Sequence, residues 1–235
     1  MKKYTSYILF VTVFLFLIPF TSYSQVSIQG IINKYAAVDS IYPTKDTIEV
    51  VDASEFSEND TVMIYQAQGA DVERDTLGEN RELFGSVRSG LKQAGKYEII
   101  LIKKIEGNRI IFKATLANAY DEDGMVQLIR VPYYERASID AELTCKAWDG
   151  SSGGVLALMV SDTLFMNADI NVTGKGFRGA DPLLYPDLGS DACSVSDAIL
   201  YKSYYFNILA DTVMAGLKGE SVAIRDSAYI KGRGR

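Results

Sequence analysis

Between residues 31 and 131, apolar residues alternate with polar ones in short runs separated by turn residues. A period of two puts successive side chains on opposite faces of a strand, so each run reads as a half-buried β-strand. The runs at 47–51, 61–66, 97–102, 109–114 and 125–131 are rich in Val, Ile and Tyr, the residues that fit a pleated surface. KYEIILIKKI and RIIFKATL flank Glu106, Gly107 and Asn108 as a predicted hairpin, and Asp121, Glu122, Asp123 and Gly124 form another polar turn before MVQLIRV. Five or six strands joined by short turns predict a small antiparallel barrel or sandwich over residues 25–134. Residues 69–95 break the pattern with charges and glycines, and read as a long loop with a short helix near 79–84.

The pattern changes at Ala147, where the chain reads AWDGSSGGVLALMVSDTLFMNADINVTGKGFRG. An entry strand over 137–147 leads into a Gly turn and an apolar strand. A corner at Ser161 and Asp162, a second strand, an Asn-Ala-Asp corner, a third strand and a last Gly turn follow. Short strands joined by corners rather than hairpin loops predict a right-handed parallel β-helix. Trp148, Asp149, Gly150, Gly153 and Gly154 make its opening turn, and Gly174, Gly176 and Gly179 its later one. After an irregular stretch over 180–203, strands are expected again at 204–214 and 221–232, where VAIRDSAYIKG echoes LMVSDTLFMNA. A solenoid coil buries its apolar face only against neighbouring coils, and about three are needed. Residues 135–235 therefore read as the start of a β-helix whose remainder lies beyond Arg235.

The first residues change the picture from fold to compartment. Lys2 and Lys3 precede an apolar run over 7–20, and Ser22, Tyr23 and Ser24 give the small-x-small pattern of a cleavage site. Residues 1–24 are predicted to be a signal peptide, with the mature chain starting at Gln25 and no later segment able to span a membrane. No Cys stands near the cleavage point, which argues against a lipoprotein. The net charge of −6 becomes −8 without the two leader lysines, and an acidic chain with no basic cluster argues against nucleic acid or an anionic membrane as partner. In an exported chain Cys145 and Cys193 are expected to form a disulfide, the alternative being two buried thiols.

Candidate chemistry is narrowed by the absence of histidine. Ser-His-Asp and Cys-His nucleophiles and the usual His-bearing zinc sites are excluded. Asp121, Glu122 and Asp123 could offer oxygen ligands to calcium, although a solvated turn is the simpler reading. Asp149, Asp169, Asp181, Lys175 and Arg178 are the candidates for a polysaccharide lyase or glycoside hydrolase of β-helix type. Trp148, Tyr133, Tyr134, Tyr201, Tyr204 and Tyr205 are aromatic candidates for stacking on a sugar. The run GKGFRG matches G-x-G-x-x-G, but ADPLLYP follows it instead of a helix, so its glycines are read as turn glycines. Asp followed by Ser or Thr and an aliphatic residue recurs at Ser40, Thr47, Thr61, Thr76, Thr163, Thr212 and Ser227. That unit resembles the acceptor sequence for O-glycosylation of exported Bacteroidota proteins, and it also suits a turn that starts a strand.

The segments INKYAAVDSI, NDTVMIYQAQGADV, GKYEIILIKKIEGNRIIFKATL, VQLIRVPYY and AWDGSSGGVLALMVSDTLFMNADINVTGKGFRGA carry a family resemblance. The chain resembles the amino-terminal region of large secreted Bacteroidota surface proteins, gliding-motility-associated or adhesin-like clients of type IX secretion. The resemblance implies a small β domain, a Gly-rich β-helix, further modules and a carboxy-terminal sorting domain, the last of which these residues lack. It implies partners among cell-surface glycans or proteins, or the chain's own downstream β-helix. The expected protein is an exported, cell-surface or extracellular adhesin-like or structural segment, without catalysis. It would be periplasmic if the product ended at Arg235.

Overall fold

The computed structural model describes residues 25–73, 86–88, 90–179 and 219–223. The expected signal peptide, the short helix at 79–84 and most of residues 180–235 lie outside them. Nine strands are described: β1 (Val26–Ile31), β2 (Tyr35–Ile41), β3 (Thr47–Val50), β4 (Thr61–Gln66), β5 (Tyr97–Glu106), β6 (Arg109–Phe112), β7 (Val126–Arg130), β8 (Tyr133–Thr144) and β9 (Met159–Met166). The fold is all-β, and no described helix is long and apolar enough to cross a membrane.

β2 to β7 close into a six-stranded antiparallel barrel in the order β2-β3-β6-β5-β4-β7. The alternating pattern fills it: Ala36, Val38, Ile48, Val50, Val62, Ile64, Ile102, Ile110, Phe112, Val126 and Leu128 make one core. Closure leaves no open sheet edge. The hairpin between β5 and β6 is a two-residue loop, and Gly107 takes the positive φ of 63° that such a loop needs at its first position.

β1 does not join the barrel. It pairs in parallel with β8, which pairs in parallel with β9, giving a three-stranded sheet in the order β1-β8-β9. The barrel thus lies between two neighbouring strands of this sheet, and the boundary expected at Tyr134 falls inside β8. The corner expected at Ser161 and Asp162 is not a corner. β9 runs through it, because Tyr134 pairs with Val160 and Arg136 with Thr163, leaving two residues opposite Glu135. One extra residue on one strand is a bulge, which a polar Ser-Asp pair marks as readily as a turn. The corner expected at 167–169 is present and leads to a parallel bridge between Leu143 and Ile170.

The apolar strand expected to start at Val155 is instead an extended segment with no strand partner, and regular pairing begins only at Met159. Its side chains still alternate. Val155 and Ala157 face the barrel exterior at Met63, Ile129, Val131, Tyr35 and Tyr65, while Leu156 and Leu158 face the parallel sheet at Ile28, Ala137, Ile139 and Leu143. This wedge explains why β7 is buried on both faces.

Side chains complete the wedge's hydrogen bonding. Gln127, fully buried, donates to the Gly153 carbonyl at 3.0 Å and accepts from its N–H at 2.8 Å. Asn33 donates to the Ala157 carbonyl and accepts from its N–H at 3.1 Å, and also donates to the Arg130 carbonyl at 2.9 Å. The Tyr35 hydroxyl donates to the Val155 carbonyl at 2.6 Å, and burial pushes its pKa well up. An amide side chain offers one donor and one acceptor in the geometry of a peptide group, so it can stand in for a neighbouring strand.

Removing either amide leaves a buried N–H and C=O without partners, at about 1–3 kcal/mol for each group. Asn33→Ala and Gln127→Ala should each lower unfolding stability by about 2–4 kcal/mol in urea titrations. Lys34→Ala, which removes only the exposed pair with Glu55, should change it by less than about 1 kcal/mol.

Candidate functional site

The parallel sheet has a constant step. Partners of β8 residues in β9 lie 26 or 27 positions later, from Tyr133 with Met159 to Ile139 with Met166. The same step continues past the strands, since Leu143 bridges Ile170 and the Trp148 N–H donates to the Lys175 carbonyl at 2.8 Å. Asp140 staples three levels. Its carboxylate accepts from Ser27 of β1 at 2.6 Å, Ser138 of β8 at 2.7 Å and Asn167 after β9 at 2.9 Å, and these bonds hold its pKa below the ordinary range.

The opening turn predicted at Trp148 is a tight structural corner. Trp148 is buried and meets the edge of Phe177 with ring centroids 5.8 Å apart. That removes it as a sugar platform. Desolvation opposes the charge on Asp149, but the Lys146 ammonium at 2.7 Å and the N–H groups of Ser151 and Ser152 at 2.9 Å outweigh it and hold the carboxyl well below the usual range. Gly153 has φ of +103°, and a Cβ there would lie 2.5 Å from the Ala147 carbonyl oxygen. Gly150, Gly154 and Gly174 share the positive-φ region, whereas Gly176 and Gly179 do not.

The residues of the enzymatic reading are partly brought together here. The Lys175 carbonyl is bonded by the Trp148 N–H, one residue before Asp149, and a Cβ on Gly150 would touch the Arg178 guanidinium. Arg178, however, grips Glu220 through two side-chain bonds, at 3.1 and 2.6 Å, and Asp149 is taken up by its own turn. Asp169 is exposed at the other corner, and Asp181 lies outside the described residues.

A concave site missing from the sequence reading lies at one mouth of the barrel. Ile41, Tyr42, Lys45, Leu116, Asn118 and Tyr120 line a pocket of about 460 Å³, together with the Asp121–Asp123 turn. Glu98 braces it by accepting from the Tyr120 hydroxyl at 2.9 Å and from the N–H groups of Ala117 and Asn118. Burial, then Glu98, drives the Tyr120 pKa up. The Arg109 guanidinium sits 5.2 Å from the centre of the Tyr42 ring. The candidate calcium ligands Asp121, Glu122 and Asp123 are exposed, and two of them are engaged by backbone: Asp121 accepts from the Asp123 N–H, and Glu122 from the Ile41 N–H at 2.6 Å. Among the described residues no group of three or more His, Cys, Asp or Glu could hold a metal ion. Tyr42 and Tyr120 were findable as aromatics beside two polar turns, but only barrel closure puts those turns on one rim.

Cys145 is a buried free thiol whose pKa burial raises, and its expected partner Cys193 lies outside the described residues. Ser40, Thr47, Thr61 and Thr163 are half-buried at strands, and the Thr47 hydroxyl donates to Asp46 at 3.0 Å. Thr76, Thr212 and Ser227 lie outside the described residues, as do Tyr201, Tyr204 and Tyr205. Tyr133 is exposed, while Tyr134 packs against the core of the parallel sheet.

Asp140 and Asp149 have lowered folded-state pKa values. Their stabilisation is present above the unfolded carboxylate value and is lost as pH falls through the folded one. Asp140→Asn and Asp149→Asn should therefore lower the thermal midpoint at pH 7, and the deficit against the parent should shrink as pH is taken below about 4. A deficit that does not change with pH would contradict this assignment.

No family model and no curated protein matches this sequence. Among solved structures the chain is similar to the Gp54 tailspike of Acinetobacter baumannii bacteriophage AP22, solved in complex with A. baumannii capsular saccharide, at 14% identity and a TM-score of 0.32. It is also similar to the tailspike protein gp49 from Pseudomonas phage LKA1, at 13% identity and a TM-score of 0.28. The matches cover 64% and 62% of this chain, and it spans only 22% and 23% of those proteins.

Proposed function

We propose that this chain is an exported, adhesin-like surface scaffold, in which a β-barrel is borne on the first rungs of a right-handed parallel β-helix. The observation that carries the reading is the constant step of 26 or 27 residues between β8 and β9, kept through two corners to Trp148 and Lys175. A fixed step with parallel pairing is what a coil of constant girth requires, and crossovers between parallel strands are overwhelmingly right-handed. The leader-like residues 1–24 supply the route out of the cytoplasm. The resemblance to Bacteroidota surface proteins adds type IX export and a part in gliding or adhesion.

The scaffold reading is preferred to polysaccharide cleavage because Asp149 and Arg178 are held in structural pairs. A general acid or base needs a carboxyl whose pKa is raised toward the working pH, and Asp149 is shifted the other way. Partner contact is assigned to the barrel mouth, where Tyr42 and Tyr120 flank a pocket open to a glycan or a protein loop.

Protein recovered from the cells that make it should begin at Gln25 when its amino terminus is sequenced by mass spectrometry. Trypsin added to intact cells should release barrel peptides. A chain that keeps Met1 and is cut only after lysis would overturn the export reading.

A further inference from the structure

The Trp148 corner is attached to the barrel on one side by Gln127, which bonds Gly153. A second attachment comes from residues 219–223, far along the sequence. This segment lies against the barrel just past the end of β4. The Gln68 side-chain amide donates to the Ser221 carbonyl at 2.8 Å, and the N–H groups of Gly69 and Ala70 donate to the Val222 carbonyl at 2.9 and 3.0 Å. Ala70 and Ala223 form a parallel bridge.

At its other end the same segment enters the Trp148 corner. The Glu220 carboxylate accepts from three groups of Arg178: the backbone N–H at 2.9 Å, Nε at 3.1 Å and Nη2 at 2.6 Å. The Glu220 N–H donates back to the Arg178 carbonyl at 2.9 Å. A guanidinium and a carboxylate joined at two points fix each other's orientation as well as their distance. The Glu220 side chain is 11% exposed and that of Arg178 53%, so the carboxylate is the inserted group and the guanidinium the outer one.

The corner is shaped for this pair. Gly150 has a φ of +108°, and a Cβ there would overlap the Arg178 guanidinium. Trp148 is 5% exposed, and its indole Nε1 is buried with no hydrogen-bond partner among the described residues. Arg178 holds the Glu220 carboxyl below the ordinary range against the burial that opposes it, and the nearby indole N–H adds to that lowering. Guanidinium and indole offer donors only, so together they call for an acceptor, and a carboxylate answers the positive charge as well.

We propose that Trp148, Gly150 and Arg178 form a carboxylate-binding socket whose ligand is the chain's own Glu220, and that residues 219–223 are thereby a strap pinning the Trp148 corner to the barrel. The contacts close a ring. Gln127 holds Gly153, Arg178 holds Glu220, and Gln68, Gly69 and Ala70 return the strap to the barrel. The corner is then fixed at two points, and only one of them lies next to it in the sequence.

Trp148 is the single tryptophan of the chain, so tryptophan emission reads the socket directly. In the full chain, Glu220→Ala and Arg178→Gln should each raise acrylamide quenching of that emission several-fold. The double variant should be no more quenched than either single one, because both remove the same pair. Additive increases would overturn the pairing, and unchanged quenching in either single variant would overturn the socket. Glu220→Gln keeps the shape and removes the charge; quenching equal to the parent's would overturn the need for a carboxylate. Acetate, compared with sodium chloride at equal ionic strength, should return Glu220→Ala toward the parent emission and leave the double variant unchanged. Equal responses of the two, or none from either, would overturn the carboxylate site. Deuterium exchange at the Gly69 and Ala70 N–H groups should rise in Glu220→Ala, and unchanged protection there would overturn the strap.

Discussion

Three side chains acting in place of a strand hold this architecture together. Gln127 and Tyr35 from the barrel wall, and Asn33 from the linker before β2, bond every second residue of the segment from Gly153 to Ala157. Without them that segment would carry buried peptide groups with no partner, and the face shared by barrel and parallel sheet would be polar where it must be apolar. With them, Val155 and Ala157 pack one way and Leu156 and Leu158 the other, so one short stretch joins two cores. The amides also fix register, because a slip by one residue would turn Leu156 and Leu158 onto the barrel.

The parallel sheet depends on that joint. β8 and β9 stack at a step of 26 or 27 residues only because the connection between them is drawn tight at Trp148 and led back along the barrel. Asp140 then ties all three levels at one corner, and Asp149 with Lys146 closes the other. These are carboxylates serving architecture, kept charged by their donors. Chemistry that has to exchange protons would need the opposite arrangement.

Much of the barrel was legible in the sequence because its signal is local. Alternation with turn residues placed β3, β4, β5, β6 and β7 within a few residues, and Gly107 marked the tight hairpin. β1 was missed because VSIQGI pairs only with β8, more than a hundred residues later, and nothing in its own pattern reports a parallel partner. Ser161 and Asp162 misled for a physical reason, since bulges and corners both favour residues that tolerate an unpaired backbone group. Val155 to Leu158 has the pattern of a strand and its alternation is real, but its partner is a set of side chains that no propensity encodes. The pocket at the barrel mouth was illegible because closure, not sequence proximity, brings Tyr42 to Tyr120.

Placing the barrel in the chain between two neighbouring strands of the parallel sheet has a consequence for the order of folding. β1 leads the described chain, yet among the described strands its only partner is β8, which follows the whole barrel. During synthesis from the amino terminus, β1 therefore lacks its β8 partner until the barrel and β8 have emerged. Closing that long excursion as a flexible loop would be slow, but a barrel that folds first brings Tyr35 and Ile129 side by side and leaves only two short linkers to close. The barrel in this position holds the two ends together, so β1 and β8 pair once the barrel has closed.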